Sequence, residues 1–176
     1  LTALNMGCGY WAILLSTEGR YHFACMLLTL GAIFDSVDGR VARLMNTESS
    51  FGEQFDSLSD LISFGLAPAV LFYEVFLKSY GKLGIFLSFI YLLCGALRLA
   101  RFNSNIHKIS PQYFQGLPIP MSALSLIGLV LLYLDFSERE LLLTNSFFIA
   151  AIPYIIIYFI KIRIFEYLFF IFIIHR

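Results

Sequence analysis

Charge is scarce in this chain. Only 14% of its 176 residues are Asp, Glu, Lys or Arg, against roughly a quarter in a soluble domain, and the 12 basic and 12 acidic side chains cancel. With no basic excess, nothing points to a nucleic-acid partner. Cysteine and histidine are sparse too. Cys8, Cys25 and Cys94 have no metal-ligand spacing and His22, His107 and His175 are scattered, so no zinc site is legible and the cysteines are expected to be small buried hydrophobes. The opening Leu1-Thr2-Ala3-Leu4-Asn5 lacks a basic region and a small-residue cleavage site, so no signal peptide is expected, and the abrupt start suggests that a few residues precede it. No internal repeat or low-complexity linker appears, which predicts one domain over residues 1–176.

Apolar residues fill the space that charge leaves. The chain is 59% hydrophobic and 17% aromatic, with a mean hydropathy of +0.80, which is a membrane composition. A membrane enzyme, a transporter and a channel are the classes to separate. Apolar stretches run over 3–16, 21–46, 53–77, 82–103, 119–134 and 141–160, with a shorter one at 164–174. Crossing hydrocarbon takes about 20 helical residues. The second, third, fourth and sixth stretches meet that length, the fifth is near the lower limit and the first is short as it stands. The last is a short span, a re-entrant piece or an interfacial helix. Breaks fall at Glu18-Gly19-Arg20, at Ser79-Tyr80-Gly81-Lys82, across Asn103 to Pro120 and across Asp135 to Glu140. The expected fold is all-α, a polytopic membrane helical bundle.

Orientation follows from the distribution of Lys and Arg. The side of the N-terminus collects Arg40, Arg43, Arg98, Arg101, Lys108, Lys161 and Arg163, seven against the four of the other side, Arg20, Lys78, Lys82 and Arg139. The first side is therefore expected to be cytoplasmic.

Against this apolar background one run stands out: Asp35-Ser-Val-Asp38-Gly39-Arg40-Val-Ala42-Arg43, followed by Gly52, Asp56 and Asp60. On a helix, Asp35 and Asp38 share a face, and so do Asp56 and Asp60. Ionised neighbours at this spacing repel by roughly 4 kcal/mol per pair at an effective dielectric near 20, unless cations sit between them. Hard oxygen ligands select Mg²⁺, Mn²⁺ or Ca²⁺, and two carboxylate pairs suit a two-cation site of the kind that performs phosphoryl chemistry. Gly39, Ala42 and Gly52 leave room for a flat or extended ligand, and Arg43 offers a forked donor for phosphate oxygens. The helix carrying Asp35 and Asp38, expected from about Tyr21 to Met45, is long enough to project beyond the hydrocarbon, so its aspartates lie near the interface. Ser49 or Ser50 is placed to cap the next helix, with Glu53 in its first turn.

The pattern Asp-x2-Asp-Gly-x2-Ala-Arg-x8-Gly-x3-Asp-x3-Asp, from Asp35 to Asp60, resembles the motif of the CDP-alcohol phosphotransferases without departure. The resemblance implies a six-helix core, usually homodimeric, in which two divalent cations hold the diphosphate of a CDP-linked lipid. By the same resemblance Asp35, Asp38 and Asp56 are metal ligands. Asp60 is both a ligand and the base that deprotonates the acceptor hydroxyl, and Gly39, Ala42, Arg43 and Gly52 frame the nucleotide together with Asp38.

The motif is silent about the acceptor. Arg98 and Arg101 share a face of the fourth helix and suit an anionic group such as an amino-acid carboxylate. Arg98-Leu-Ala-Arg101-Phe102-Asn103, the Phe114-x-Gly116-Leu117-Pro118-x-Pro120 segment and the opening Thr2-x2-Asn5 resemble the serine-accepting branch of the family, the small integral-membrane phosphatidylserine synthases of bacteria and archaea. That resemblance covers residues 1–122. It implies transfer from CDP-diacylglycerol, or an archaeal ether-lipid equivalent, to L-serine, with Arg98, Arg101 and Asn103 on the serine and Thr2 and Asn5 near the nucleotide or phosphate. Two alternatives stay open on the sequence: a relative using glycerol 3-phosphate or an inositol phosphate, and a cation transporter. The four aspartates gather at one boundary, which speaks against an ion path across the membrane.

Overall fold

The computed structural model describes residues 2–45, 50–105 and 119–138, and every regular element among them is helical. The physical reason is that an apolar run in hydrocarbon must satisfy its own backbone hydrogen bonds, which a helix does within one segment. Helix α1 spans Thr2–Thr17, α2 Tyr21–Met45 and α3 Ser50–Asp60. The third rod continues through a π-helical turn at Leu61–Leu66, α4 at Ala67–Phe72, a second π-helical stretch at Tyr73–Leu77 and a 3₁₀ turn at Lys78–Tyr80. Helix α5 is Lys82–Asn105 and α6 is Ile119–Glu138. The runs expected at 141–160 and 164–174 lie outside the described residues, and with them the expected count of six core helices.

The ends of the rods follow from local chemistry. At the α1–α2 turn Arg20 N–H donates to the Leu15 carbonyl at 2.8 Å and Gly19 N–H to that of Ser16 at 3.2 Å, closing a Schellman cap. Gly19 takes φ of 79°, which side chains other than glycine adopt only at a cost. Glu53 falls in the first turn of α3, where its charge meets the positive end of the helix dipole.

Among the described residues, two helices, Phe51–Tyr80 and Lys82–Arg101, are long and apolar enough to cross a membrane. The apolar part of α2 is shorter than the 21–46 expected, ending at Val37, because the polar run from Asp35 occupies its last turns. In α5, Leu83, Phe86, Phe89, Leu93 and Leu97 form an exposed apolar ridge, the surface a spanning helix turns toward lipid.

Transfer from water contributes little to helix association inside a bilayer, so close packing must carry it. The core accordingly mixes small residues, Ala12, Ala24 and Ala67, with Leu28, Leu71 and Val130. A smaller cluster of Ala32, Phe64, Ile119 and Ala123 packs on the side nearer the carboxylates. The π turn after Asp60 loosens the regular ladder, and the Tyr91 hydroxyl from α5 donates to the Phe64 carbonyl within it at 3.3 Å.

Candidate metal and active site

Three helices contribute polar side chains to one place in the bundle. Asp35 comes from α2, Asp56 and Asp60 from α3, and Asn5 from α1. One carboxylate oxygen from each of Asp35, Asp56 and Asp60 lies within 4.8 Å of the other two, and all three residues are half-buried. Two oxygens that ligate one hard cation at ~2.0–2.6 Å are no more than ~5 Å apart, so the spacing and the all-oxygen donor set fit a divalent ion. With no cation between them, ionised groups ~4.8 Å apart repel by about 3.5 kcal/mol per pair at an effective dielectric near 20.

The tertiary grouping thus joins one member of the first sequence pair to both members of the second. Asp38, Gly39, Ala42 and Arg43 lie on the last turns of α2, where the backbone alone is described. Gly52 lies exposed in the first turn of α3.

Helix α1 is held against the third rod by two hydroxyls. Ser59 Oγ donates to the Thr2 carbonyl at 3.0 Å and Ser63 Oγ to the Asn5 carbonyl at 2.9 Å. The Asn5 side chain is fully buried and donates through Nδ2 to Asp60 Oδ1 at 3.4 Å. Thr2 and Asn5, expected near the nucleotide, therefore meet the third rod on either side of Asp60.

The acceptor candidates sit on α5. Arg98 and Arg101 are half-buried one turn apart. Asn103 and Ser57 form a polar pair, with Asn103 Nδ2 donating to Ser57 Oγ at 3.0 Å and the hydroxyl lying 3.4 Å from Asn103 Oδ1. Since Ser57 follows Asp56 directly, this contact brings the end of α5 to the carboxylate end of α3. The Phe114 to Pro118 part of the acceptor motif lies outside the described residues.

Ser57, Ser59 and Ser63 escaped the sequence reading. A signal for Ser59 and Ser63 existed, because Gly52, Asp56, Ser59, Asp60 and Ser63 recur at helical spacing and mark one face.

A helical chain with apolar helices long enough to cross a membrane and a carboxylate cluster of a spacing that could hold a hard cation has the features of a membrane protein of the phosphoryl-transfer class. The chain belongs to the CDP-alcohol phosphatidyltransferase family, whose model matches residues 1–172. It is 40% identical over 131 residues to a CDP-diacylglycerol–serine O-phosphatidyltransferase of Helicobacter pylori, covering 74% of this chain and 55% of that one. It is 45% identical over 128 residues to a protein of the same name from Methanocaldococcus jannaschii, covering 73% and 57%. With an archaetidylserine synthase of Methanothermobacter thermautotrophicus the identity is 39% over 159 residues, covering 88% and 67%. The chain spans little more than half the length of the first two of these relatives.

Proposed function

We propose that this chain transfers a phosphatidyl group from CDP-diacylglycerol, or its archaeal ether-lipid counterpart, to the hydroxyl of L-serine, giving phosphatidylserine, or its counterpart, and CMP. The observation that carries the reading is the Asp35–Asp56–Asp60 cluster, set in a chain of this family whose relatives are named for serine transfer. Family membership leaves the cation-transporter reading without support.

In this reading Asp35, Asp38, Asp56 and Asp60 hold two divalent cations, Mg²⁺ or Mn²⁺ with Ca²⁺ as a substitute. When bound, such ions supply charge neutralisation on the diphosphate and polarisation of its phosphorus. Gly39, Ala42, Arg43 and Gly52 frame the nucleotide, and Arg98 and Arg101 receive the serine carboxylate. Asp60 accepts the serine hydroxyl proton as the new P–O bond forms in line with the breaking bond to CMP, which leaves with that electron pair. The chain works as a single domain on a six-helix core, as a homodimer in a cell membrane, with the carboxylates facing the cytoplasm.

Incubating the purified protein with CDP-diacylglycerol, Mn²⁺ and labelled serine, glycerol 3-phosphate or inositol phosphate should release CMP with serine alone. Release with either phosphate acceptor instead would overturn the serine assignment, and no release with any acceptor would overturn the transfer reading.

A further inference from the structure

Asn5 is a fully buried amide in a helix bundle, where an apolar side chain of similar shape would pack without a desolvation cost. Its surroundings account for the choice. Nδ2 donates to Asp60 Oδ1 at 3.4 Å, and because an ionised carboxylate only accepts, this contact sets which way the amide faces. On the other side Oδ1 occupies the space left by Gly31 on α2, where a Cβ would stand 3.0 Å from it. That oxygen has no hydrogen-bond partner among the described residues, so Asp60 is the polar group that the side chain serves.

The backbone is arranged to keep Asn5 there. Ser59 and Ser63, bracketing Asp60, donate to the carbonyls of Thr2 and Asn5 and key α1 to the third rod in register. Gly9 permits the close approach, since a Cβ there would lie 2.6 Å from Ser63 Oγ.

We infer that Asn5 is a positioning residue for Asp60. Asp60 lies beside Asp35 and Asp56, whose like charges repel its carboxylate whenever all three are ionised. A neutral amide donor restrains it without adding a positive charge that would compete with cations for the same oxygens. This assignment rests on the transfer reading of the site and gives Asn5 a task other than contact with the nucleotide.

The test is a double-mutant cycle of Asn5→Leu and Asp60→Asn, read by CMP-release kinetics and by calorimetric Mn²⁺ titration of the purified protein. Asn5→Leu should lower kcat by about tenfold, the scale of a lost hydrogen bond to a charged group, and weaken Mn²⁺ binding severalfold, while KM for the CDP-lipid stays within about twofold. Neither effect should recur once Asp60 is already Asn. A rise in the CDP-lipid KM with kcat unchanged, or the same loss of Mn²⁺ affinity in both backgrounds, would overturn the proposal. If Asn5→Leu does not yield folded protein, Gly31→Ala, which crowds Oδ1 from α2, carries the same cycle with the same outcomes. The Mn²⁺ arm does not depend on turnover. If the unsubstituted protein transfers to no acceptor, the proposed function fails while the role of Asn5 is still decided.

Discussion

Ser57 of α3 and Asn103 of α5 are paired through their side chains, with Asn103 Nδ2 3.0 Å from Ser57 Oγ. Ser57 adjoins Asp56 and Asn103 lies half a turn beyond Arg101, so one polar contact links the carboxylate helix to the helix that carries Arg98 and Arg101. Removing either partner leaves the other half-buried without that bond, at a cost of about 1–3 kcal/mol. Ser57→Ala should therefore raise the KM for serine roughly three- to tenfold with a smaller effect on the CDP-lipid KM. Steady-state kinetics with each substrate varied in turn would check this, and an effect confined to the lipid would contradict it.

The arginines make a separate prediction. If Arg98 and Arg101 receive the serine carboxylate, Arg98→Ala and Arg101→Ala should each raise the KM for serine by about tenfold or more, the loss expected for a charge-assisted hydrogen bond. The same kinetic measurement applies. Equal changes in the KM of both substrates would instead make them general electrostatic contributors.

The carboxylates should divide into two behaviours. Asp35→Ala or Asp56→Ala removes a member of the 4.8 Å cluster and should weaken Mn²⁺ at least ~10–100-fold, with activity falling in parallel. Asp60→Asn should weaken Mn²⁺ severalfold through the loss of one anionic oxygen and, at saturating Mn²⁺, still lose about 10²–10⁴ in kcat, because the amide cannot take the hydroxyl proton. Calorimetry and turnover on the same preparations separate the two. Substantial turnover by Asp60→Asn with metal bound would remove Asp60 as the base.

Stability offers a paired control. At Gly9 an added Cβ would stand 2.6 Å from Ser63 Oγ and 2.8 Å from Ser63 Cα, so Gly9→Ala must push α1 away from the third rod. Overpacking of this kind costs about 1–3 kcal/mol. At Gly7 nothing lies within 4 Å of the added carbon, and Gly7→Ala should be neutral or slightly stabilising through helix propensity. Thermal melts in detergent should show a lower Tm for the first variant and no loss for the second.

Much of the framework was legible without coordinates. The helices α1, α2, α5 and α6 begin and end within a few residues of the apolar stretches expected, because Gly19, Gly81 and the polar breaks act locally. The π-helical turns at Leu61–Leu66 and Tyr73–Leu77 were not legible. They change which way the following turns face without leaving a residue type that announces them, and the first is met by a hydroxyl from Tyr91, 27 positions away. The site shows the same division. The aspartates stood out because carboxylates are conspicuous in an apolar chain, whereas Ser59 and Ser63 pass in sequence for ordinary helix residues.

What the sequence determined by itself is therefore the set of rods and the spacing of carboxylates along each rod, since helical periodicity depends only on neighbours a turn apart. It determined the family as well, through residues at set intervals between Asp35 and Asp60. Only the tertiary structure decided that Asp35 joins Asp56 and Asp60, that Asn5 faces Asp60 and that Ser57 meets Asn103. Those partnerships depend on the rotation and axial register of one helix against another. In this bundle the register of α1 is set by two serine hydroxyls on α1 carbonyls and by the room left at Gly9 and Gly31, contacts between residues more than twenty positions apart.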